Sequence, residues 1–136
     1  MALQFSATVR NAMLDAIETA IGTGAVLKIR TGAPPPDVAT ADSGTVLATL
    51  TLPSDWMNAA SGGTKTLLGS WADASADAAG TAGHFRIYAS NGTTQHFQGT
   101  ITSVLTGTGD MLLDNAVLAA GQAFSITTFT LTAPGA

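Results

Sequence analysis

Between His84 and Ile101, apolar and polar residues alternate on both sides of Ser90-Asn91-Gly92, which predicts a β-hairpin. The same two-residue period recurs upstream. Ala25 to Arg30 places Leu27 and Ile29 on one face and Lys28 and Arg30 on the other. Thr45 to Leu52 sets Val46, Ala48, Leu50 and Leu52 against Thr45, Thr49 and Thr51, and Leu47 interrupts the polar face. Lys65 to Ala72, Met111 to Leu113 and Ala123 to Thr132 read as further strands. The last of these changes phase: Phe124 and Ile126 are even-numbered, Phe129 and Leu131 odd. A β-bulge near Thr127-Thr128, or a strand covered on both faces, reconciles the two halves. Thr31 to Ser43, with Pro34-Pro35-Pro36, is a loop, because a proline run cannot form a central strand. Asp73 to Ala82 is small and polar, and predicts a loop or irregular edge.

One segment has a different period. From Ser6 to Ile21, Val9, Met13, Ala16, Ile17, Ala20 and Ile21 recur at three- and four-residue spacing, the pattern of an amphipathic helix. Ser6 suits the N-cap and Gly22 the stop. Asp15 and Glu18 fall off the apolar stripe and are expected in solvent. The stripe either packs on the chain's own sheet or docks on a neighbouring subunit; the first is favoured.

About six to eight short strands, with turns about every 8–15 residues and no alternating helices, predict a mainly β fold. The expected architecture is a single antiparallel β-sandwich or small, jelly-roll-like barrel with one N-terminal α-helix. Residues 1–24 are the arm and helix, and 25–136 the β domain, together one folding unit.

The hairpin register decides which side chains meet. A two-residue type I′ turn puts Phe85 opposite Gln98. A three-residue Ser90-Asn91-Gly92 loop, with Gly92 left-handed in a G1 bulge, puts Phe85 opposite Phe97 and Ile87 opposite Gln95. The second register gathers the aromatics and is preferred, since each such pair contributes roughly 0.2–1 kcal/mol. The opposite face then carries His84, Arg86, Tyr88, Thr94, His96 and Gln98, with His96 beside Arg86.

Composition changes the picture of the surface. Of 136 residues, 46% are hydrophobic and only 10% charged, against a usual charged share of about 25%. Such a surface suits a protein covered by its own copies or by a partner. The net charge of −4, with five Lys and Arg and no basic cluster, gives no electrostatic footprint for nucleic acid. No stretch of about 18 apolar residues predicts a membrane span, and the N-terminus lacks a secretory pattern. With no cysteine, thiolate metal sites, Cys nucleophiles and disulfides are excluded.

Candidate chemistry is sparse. His84 and His96 lack a third metal ligand, and Arg86 would repel a divalent ion. Asp73 and Asp77 lack the ligand density of a calcium loop, and Asp110 and Asp114 read as turn formers. Neither a nucleophile elbow nor a phosphate-binding loop is present. Trp56 and Trp71 are either plugs of the β body or a carbohydrate platform, with the plug preferred. No catalytic residue, metal or cofactor is expected.

The segments SGTVLATLTLPSDWMNAASGG, ADASADAAGTAGHFRIYASNGTTQHFQGT and GDMLLDNAVLAAGQAFSITTFTLT resemble a group of short structural proteins from tailed-bacteriophage and prophage gene clusters. The resemblance covers nearly the whole chain and contains no catalytic motif. It implies a virion component, with a capsid decoration or cement protein as the leading role and a tail, neck or fibre component as the alternative. The latter would use exposed Trp, Tyr and Thr to contact a host glycan or receptor. The implied partners are further copies of the chain in a homo-oligomer, and the phage major capsid protein or another virion protein. The expected location is the virion. Candidate interface residues are Val9, Met13 and Ile17 on the helix, Pro34, Pro35 and Pro36 in the loop, and His84, Arg86, Tyr88 and His96 on the hairpin.

Overall fold

The structure is a computed structural model and describes residues 3–136; the first two residues of the expected N-terminal arm, Met1 and Ala2, lie outside them. It is mainly β, with one helix, α1 (Ala7–Ile21). The longer strands are β1 (Val26–Thr31), β2 (Val46–Thr51), β5 (Gly80–Tyr88) and β6 (Gln95–Ser103). Six short ones are β3 (Thr64–Thr66), β4 (Trp71–Asp73), β7 (Met111–Leu113), β8 (Val117–Leu118), β9 (Phe124–Ile126) and β10 (Thr130–Thr132). A curled half-barrel sheet runs β2-β1-β5-β6-β7, with β8 on the start of β5. Two small ladders, β3–β10 and β4–β9, complete the body, as expected of a β-sandwich or small barrel.

The core follows from strand alternation. Leu27 and Ile29 of β1, Ala48 and Leu50 of β2, and Phe85 and Ile87 of β5 point to one side and are buried. Trp71, Ile126 and Phe129 reach the same cluster from the small ladders, and Trp56 from the irregular segment before β3. Trp56 and Trp71 are fully buried, 6.0 Å apart between ring centroids, so they are core plugs and offer no carbohydrate platform. Trp56 Nε1 donates to Gly22 O and Trp71 Nε1 to Trp56 O, which satisfies both indoles.

Three elements differ from the sequence expectation. The strand expected over Lys65 to Ala72 is split into β3 and β4, with Gly69 left-handed between them (φ +76°). Its partner splits at the same place: β10 pairs with β3 and β9 with β4. The phase change at Thr127-Thr128 is therefore an interruption shared by two strands. The sheet also contains one parallel pair, β6 with β7. Asp110 fastens the start of β7 beside β6, accepting from Thr100 N (2.8 Å) and Thr100 Oγ1 (3.0 Å). Finally, the stretch between the expected strands Met111 to Leu113 and Ala123 to Thr132 contributes β8, which pairs with the first residues of β5.

The hairpin keeps its expected faces in another register. Gly92 is left-handed (φ +72°), as foreseen. Asn91 Oδ1, however, accepts from both Thr93 N and Thr94 N, and the loop lengthens until Ala89 N donates to Thr94 O. A bulge at His96 then restores the phase: Tyr88 pairs with Gln95, but Ile87 with Phe97 and Phe85 with Gly99. Phe85 and Phe97 consequently meet diagonally and edge-on, 6.0 Å apart. The Phe85 ring covers Gly99, where an added Cβ would lie 2.7 Å from it. Gly99→Ala is expected to cost about 1–3 kcal/mol by overpacking, read as a lowered thermal midpoint.

Candidate functional site

Two surfaces gather the residues singled out in the sequence. The first is the second face of the β1–β5–β6 sheet, which was expected to be solvated or to meet a partner. It is buried: His84, Arg86 and Tyr88 have no exposure, and Arg30 almost none. The cover is the chain's own segment Thr31–Thr45. Its ends are tied by Thr31 N donating to Thr45 O (3.1 Å) and Thr45 N to Thr31 Oγ1 (2.9 Å), so it closes like an Ω-loop.

Polar contacts, rather than apolar ones, fasten this strap. Asp42 accepts from Arg30 Nη2 (2.9 Å), Arg86 Nη1 (2.9 Å) and Tyr88 Oη (2.7 Å). Arg86 Nη2 also donates to Asp37 O, and Arg86 Nε to Gln98 Oε1. Gln98 Nε2 donates to Pro35 O at 2.7 Å. His84 Nδ1 lies 2.8 Å from Gly32 O, which identifies Nδ1 as the protonated nitrogen. Lys28 Nζ sits 4.9 Å above the Tyr88 ring. Burial alone would raise the Asp42 carboxyl, but the Tyr88 hydroxyl and the two guanidiniums hold it below its ordinary value. Burial raises Tyr88, which also donates to Asp42. Burial lowers His84, and Arg30 and Arg86 add to the effect.

These positions correct the expected interface. His84, Arg86 and Tyr88 are internal, and the chain's only tyrosine offers no host-binding contact. His96, displaced by the bulge, is exposed and does not pair with Arg86, whose partner is Gln98. Pro35 is buried against the sheet and Pro34 half-buried, leaving Pro36 exposed; the proline run is a lid component, not a free appendage.

The second surface is α1. Ser6 caps its N-terminus, accepting from Val9 N, and Gly22 ends it with a left-handed φ of 91°. The helix is turned by roughly a third of a turn from the expected orientation. Leu14 and Ile21 are buried and Ile17 is half-buried against the core, so Ile17 is not an outward contact. The charged residues also face inward. Arg10 Nη2 donates to Ala133 O. Asp15 accepts from Ala60 N and Lys65 Nζ, and Glu18 from Trp56 N, Met57 N and Lys65 Nζ. Asn11 accepts from Gly63 N. The reason lies in residues 54–63, whose irregular backbone has amides that no ladder satisfies. Those amides draw Glu18 inward, against the expectation that it is solvated, and engage Asp15, whose side chain still keeps 47% of its exposure.

Lys65 lies beneath this helix, 3% exposed. Burial opposes its charge, but hydrogen bonds to Asp15 and Glu18 outweigh that and hold the ammonium above its ordinary value. The bond from Lys65 lowers the Asp15 carboxyl, whereas the adjacent Glu18 raises that of Asp55.

The outward face of α1 is left with Val9 (44% exposed) and Met13 (38%), with Ala12, Ala16 and Ala20 between and beside them. Leu3 and Phe5 extend it, and Phe5 N donates to Gly135 O, so the arm is tied to the C-terminus. No charged side chain stands on this face. A separate apolar tip, Val104 and Leu105, projects from the turn before β7.

Among the described residues no cluster of three or more His, Asp or Glu is arranged to hold a metal ion. Asp73 instead accepts from Thr49 N and Ser75 N, and Asp77 from Thr49 Oγ1. No described helix is long and apolar enough to cross a membrane. Comparison with known proteins returned no matching family model, no matching curated protein and no matching solved structure.

Proposed function

We propose that the protein is a structural subunit that works by assembly, and specifically a bacteriophage virion protein of the capsid-decoration or cement type. The observation that carries this reading is the outward face of α1. The helix spends its charges internally and presents Val9, Met13 and alanines to solvent. Such an inversion costs solubility in an isolated monomer and favours a covered helix. An uncharged face also meets its own copy without like-charge repulsion, which matters for a chain of net charge −4. Repeated across a shell, contacts too small to hold a dimer add through multivalency. The likeness of three long segments to phage structural proteins supplies the setting, with other copies and the major capsid protein as partners. The buried acids and bases are occupied in internal bonds, in keeping with a part that supports rather than reacts.

The test compares empty phage heads with and without the protein for resistance to heat and osmotic shock, and counts copies per particle. Higher resistance with hundreds of copies supports cementing. Equal resistance, or about a dozen copies per particle, overturns it. Val9→Glu with Met13→Glu should reduce head binding at least tenfold, since burying each apolar side chain contributes about 1.5–3 kcal/mol. Stability of the free protein should shift by less than about 0.5 kcal/mol per exposed site.

A further inference from the structure

We propose that the segment Thr31–Thr45 is an acid-released strap, in which protonation of His84 loosens its Gly32–Pro34 end and protonation of Asp42, in stronger acid, frees the rest and exposes a cationic sheet face. Three features of the geometry carry this. The strap is fastened by polar bonds, which protonation can break. Its cargo is concentrated charge: Lys28, Arg30 and Arg86, three of the chain's five Lys and Arg, share the covered face. And His84, fully buried, has an Nε2 with no hydrogen-bond partner, as does Arg30 Nε on the neighbouring strand.

Nε2 makes no hydrogen bond, and although the backbone of Gly32 and Thr31 favours a charged ring, burial and the two arginines outweigh it. The groups around the ring are set by four elements. β5 contributes Arg86, and β1 contributes Arg30, its direct cross-strand partner, with Lys28 beyond. β6 contributes the uncharged Thr100 and Gln98, with Asp110 engaged on Thr100. The strap contributes Gly32 O, Asp42 and Asp37; Asp42 is committed to both arginines, and Asp37 to Thr40. The closed state therefore favours His84 as the neutral imidazole, whereas the opened state lets water solvate the charge.

The direction with pH follows. His84 is depressed from its ordinary 6.5, so its contribution to closure is intact above that value. It falls as pH drops below it, by at most about tenfold in the closed-to-open ratio per pH unit, and levels off below the depressed value. Asp42 is also depressed, from 3.8, and its latch fails only at lower pH. Opening is thus two-stage. Gly32–Pro34 loosens first, over His84, and the Asp42 end follows in stronger acid.

Hydrogen exchange on the intact protein at pH 7.5 and 5.5, corrected for intrinsic rates, tests this. At pH 5.5 the Thr31 amide, beside the Gly32–Pro34 end that loosens first, should lose about tenfold in protection, while Thr40 N near Asp42 and the β5–β6 hairpin keep theirs. His84→Gln, which retains a donor for Gly32 O and cannot titrate, should abolish the difference. Unchanged Thr31 protection at pH 5.5, equal loss in the hairpin, or a persistent response in His84→Gln would each overturn the proposal. An NMR titration of the wild-type His84 ring gives an independent reading: a midpoint at or above 6.5 would also overturn it.

Discussion

Asp42→Ala is expected to lower the unfolding free energy by about 3–4 kcal/mol at pH 7, one of the two largest single-residue effects predicted in this chain. Asp42 is the one carboxylate bonded to both Arg30 and Arg86, and it also accepts from Tyr88. Removing it leaves two guanidiniums with almost no solvent access beside a phenol that has lost its acceptor. Breaking a buried pair by deleting one partner commonly costs about 3–5 kcal/mol, and the upper end is discounted because the Asp42 side chain keeps 36% of its exposure. Urea unfolding measures the change. The effect should shrink in acid: Asp42 is held below 3.8, so its contribution is present above that value and disappears as pH falls through the depressed one. Adding Arg30→Met and Arg86→Met to Asp42→Ala should recover part of the loss, because apolar stems replace unpaired charges. If the single variant loses less than about 1 kcal/mol, Asp42 is not what fastens the strap.

The strap also shows where sequence reasoning stops. Period-two alternation placed Leu27, Ile29, Phe85 and Ile87 on one side and Lys28, Arg30, His84 and Arg86 on the other, and the strands obey it. Alternation assigns faces but does not say what covers them. Polar strand faces are usually exposed, and nothing in the alternation of this one marks it as covered. Its cover comes from an irregular segment with no periodicity, pinned by Asp42, which has no signature of its own. One clue was available: five basic residues in 136 leave few for a surface, and three fall on alternate positions of two strands. The hairpin turn failed differently. Asn91 can cap one amide or two, and capping both moved the register, displacing Gln95 and His96 while Phe97 and Gln98 kept their faces.

The helix failed for a third reason. Its spacing marked a helix over Ser6 to Ile21, and α1 covers Ala7–Ile21. Its orientation depended on residues 54–63, whose unpaired amides become visible only when the body is assembled. Leu14, left out of the apolar stripe, is among its most buried residues, while Val9 and Met13 face outward. The candidate interface consequently contracted to the helix's outer face, with Pro36 and His96 as isolated exposed members. That contraction sharpens the functional reading, since the surviving apolar face is contiguous and uncharged.

The same inversion makes Lys65 the second residue of large effect. Lys65→Met keeps an apolar stem in the buried site and removes only the charge, and it is expected to cost about 3 kcal/mol. The loss arises because Asp15 and Glu18 converge on Lys65 Nζ at 2.7 and 3.0 Å, with Asp55 next to Glu18. Without the cation, Asp15 and Glu18 are left beside each other, held only by backbone amides, with the exposed Asp55 next to Glu18. The pH profile should change sign. In the wild type Asp15 is lowered, so its contribution strengthens as pH rises from the acid range past 3.8, and Lys65 is raised, so its contribution persists until strongly alkaline pH. Asp55 is raised by Glu18 and works against the fold as it ionises. In Lys65→Met this repulsion dominates, and stability should fall between about pH 3 and pH 6 instead of rising. Adding Asp55→Asn, which removes one carboxylate and can donate to Glu18, should restore part of the stability at pH 7 and none at pH 3. Urea unfolding across that range separates the outcomes. A Lys65→Met profile parallel to the wild type would show that the helix is held by its amide contacts and by Leu14 and Ile21 alone. Retention of α1 would then no longer depend on charge, whereas the outward apolar face would persist unchanged.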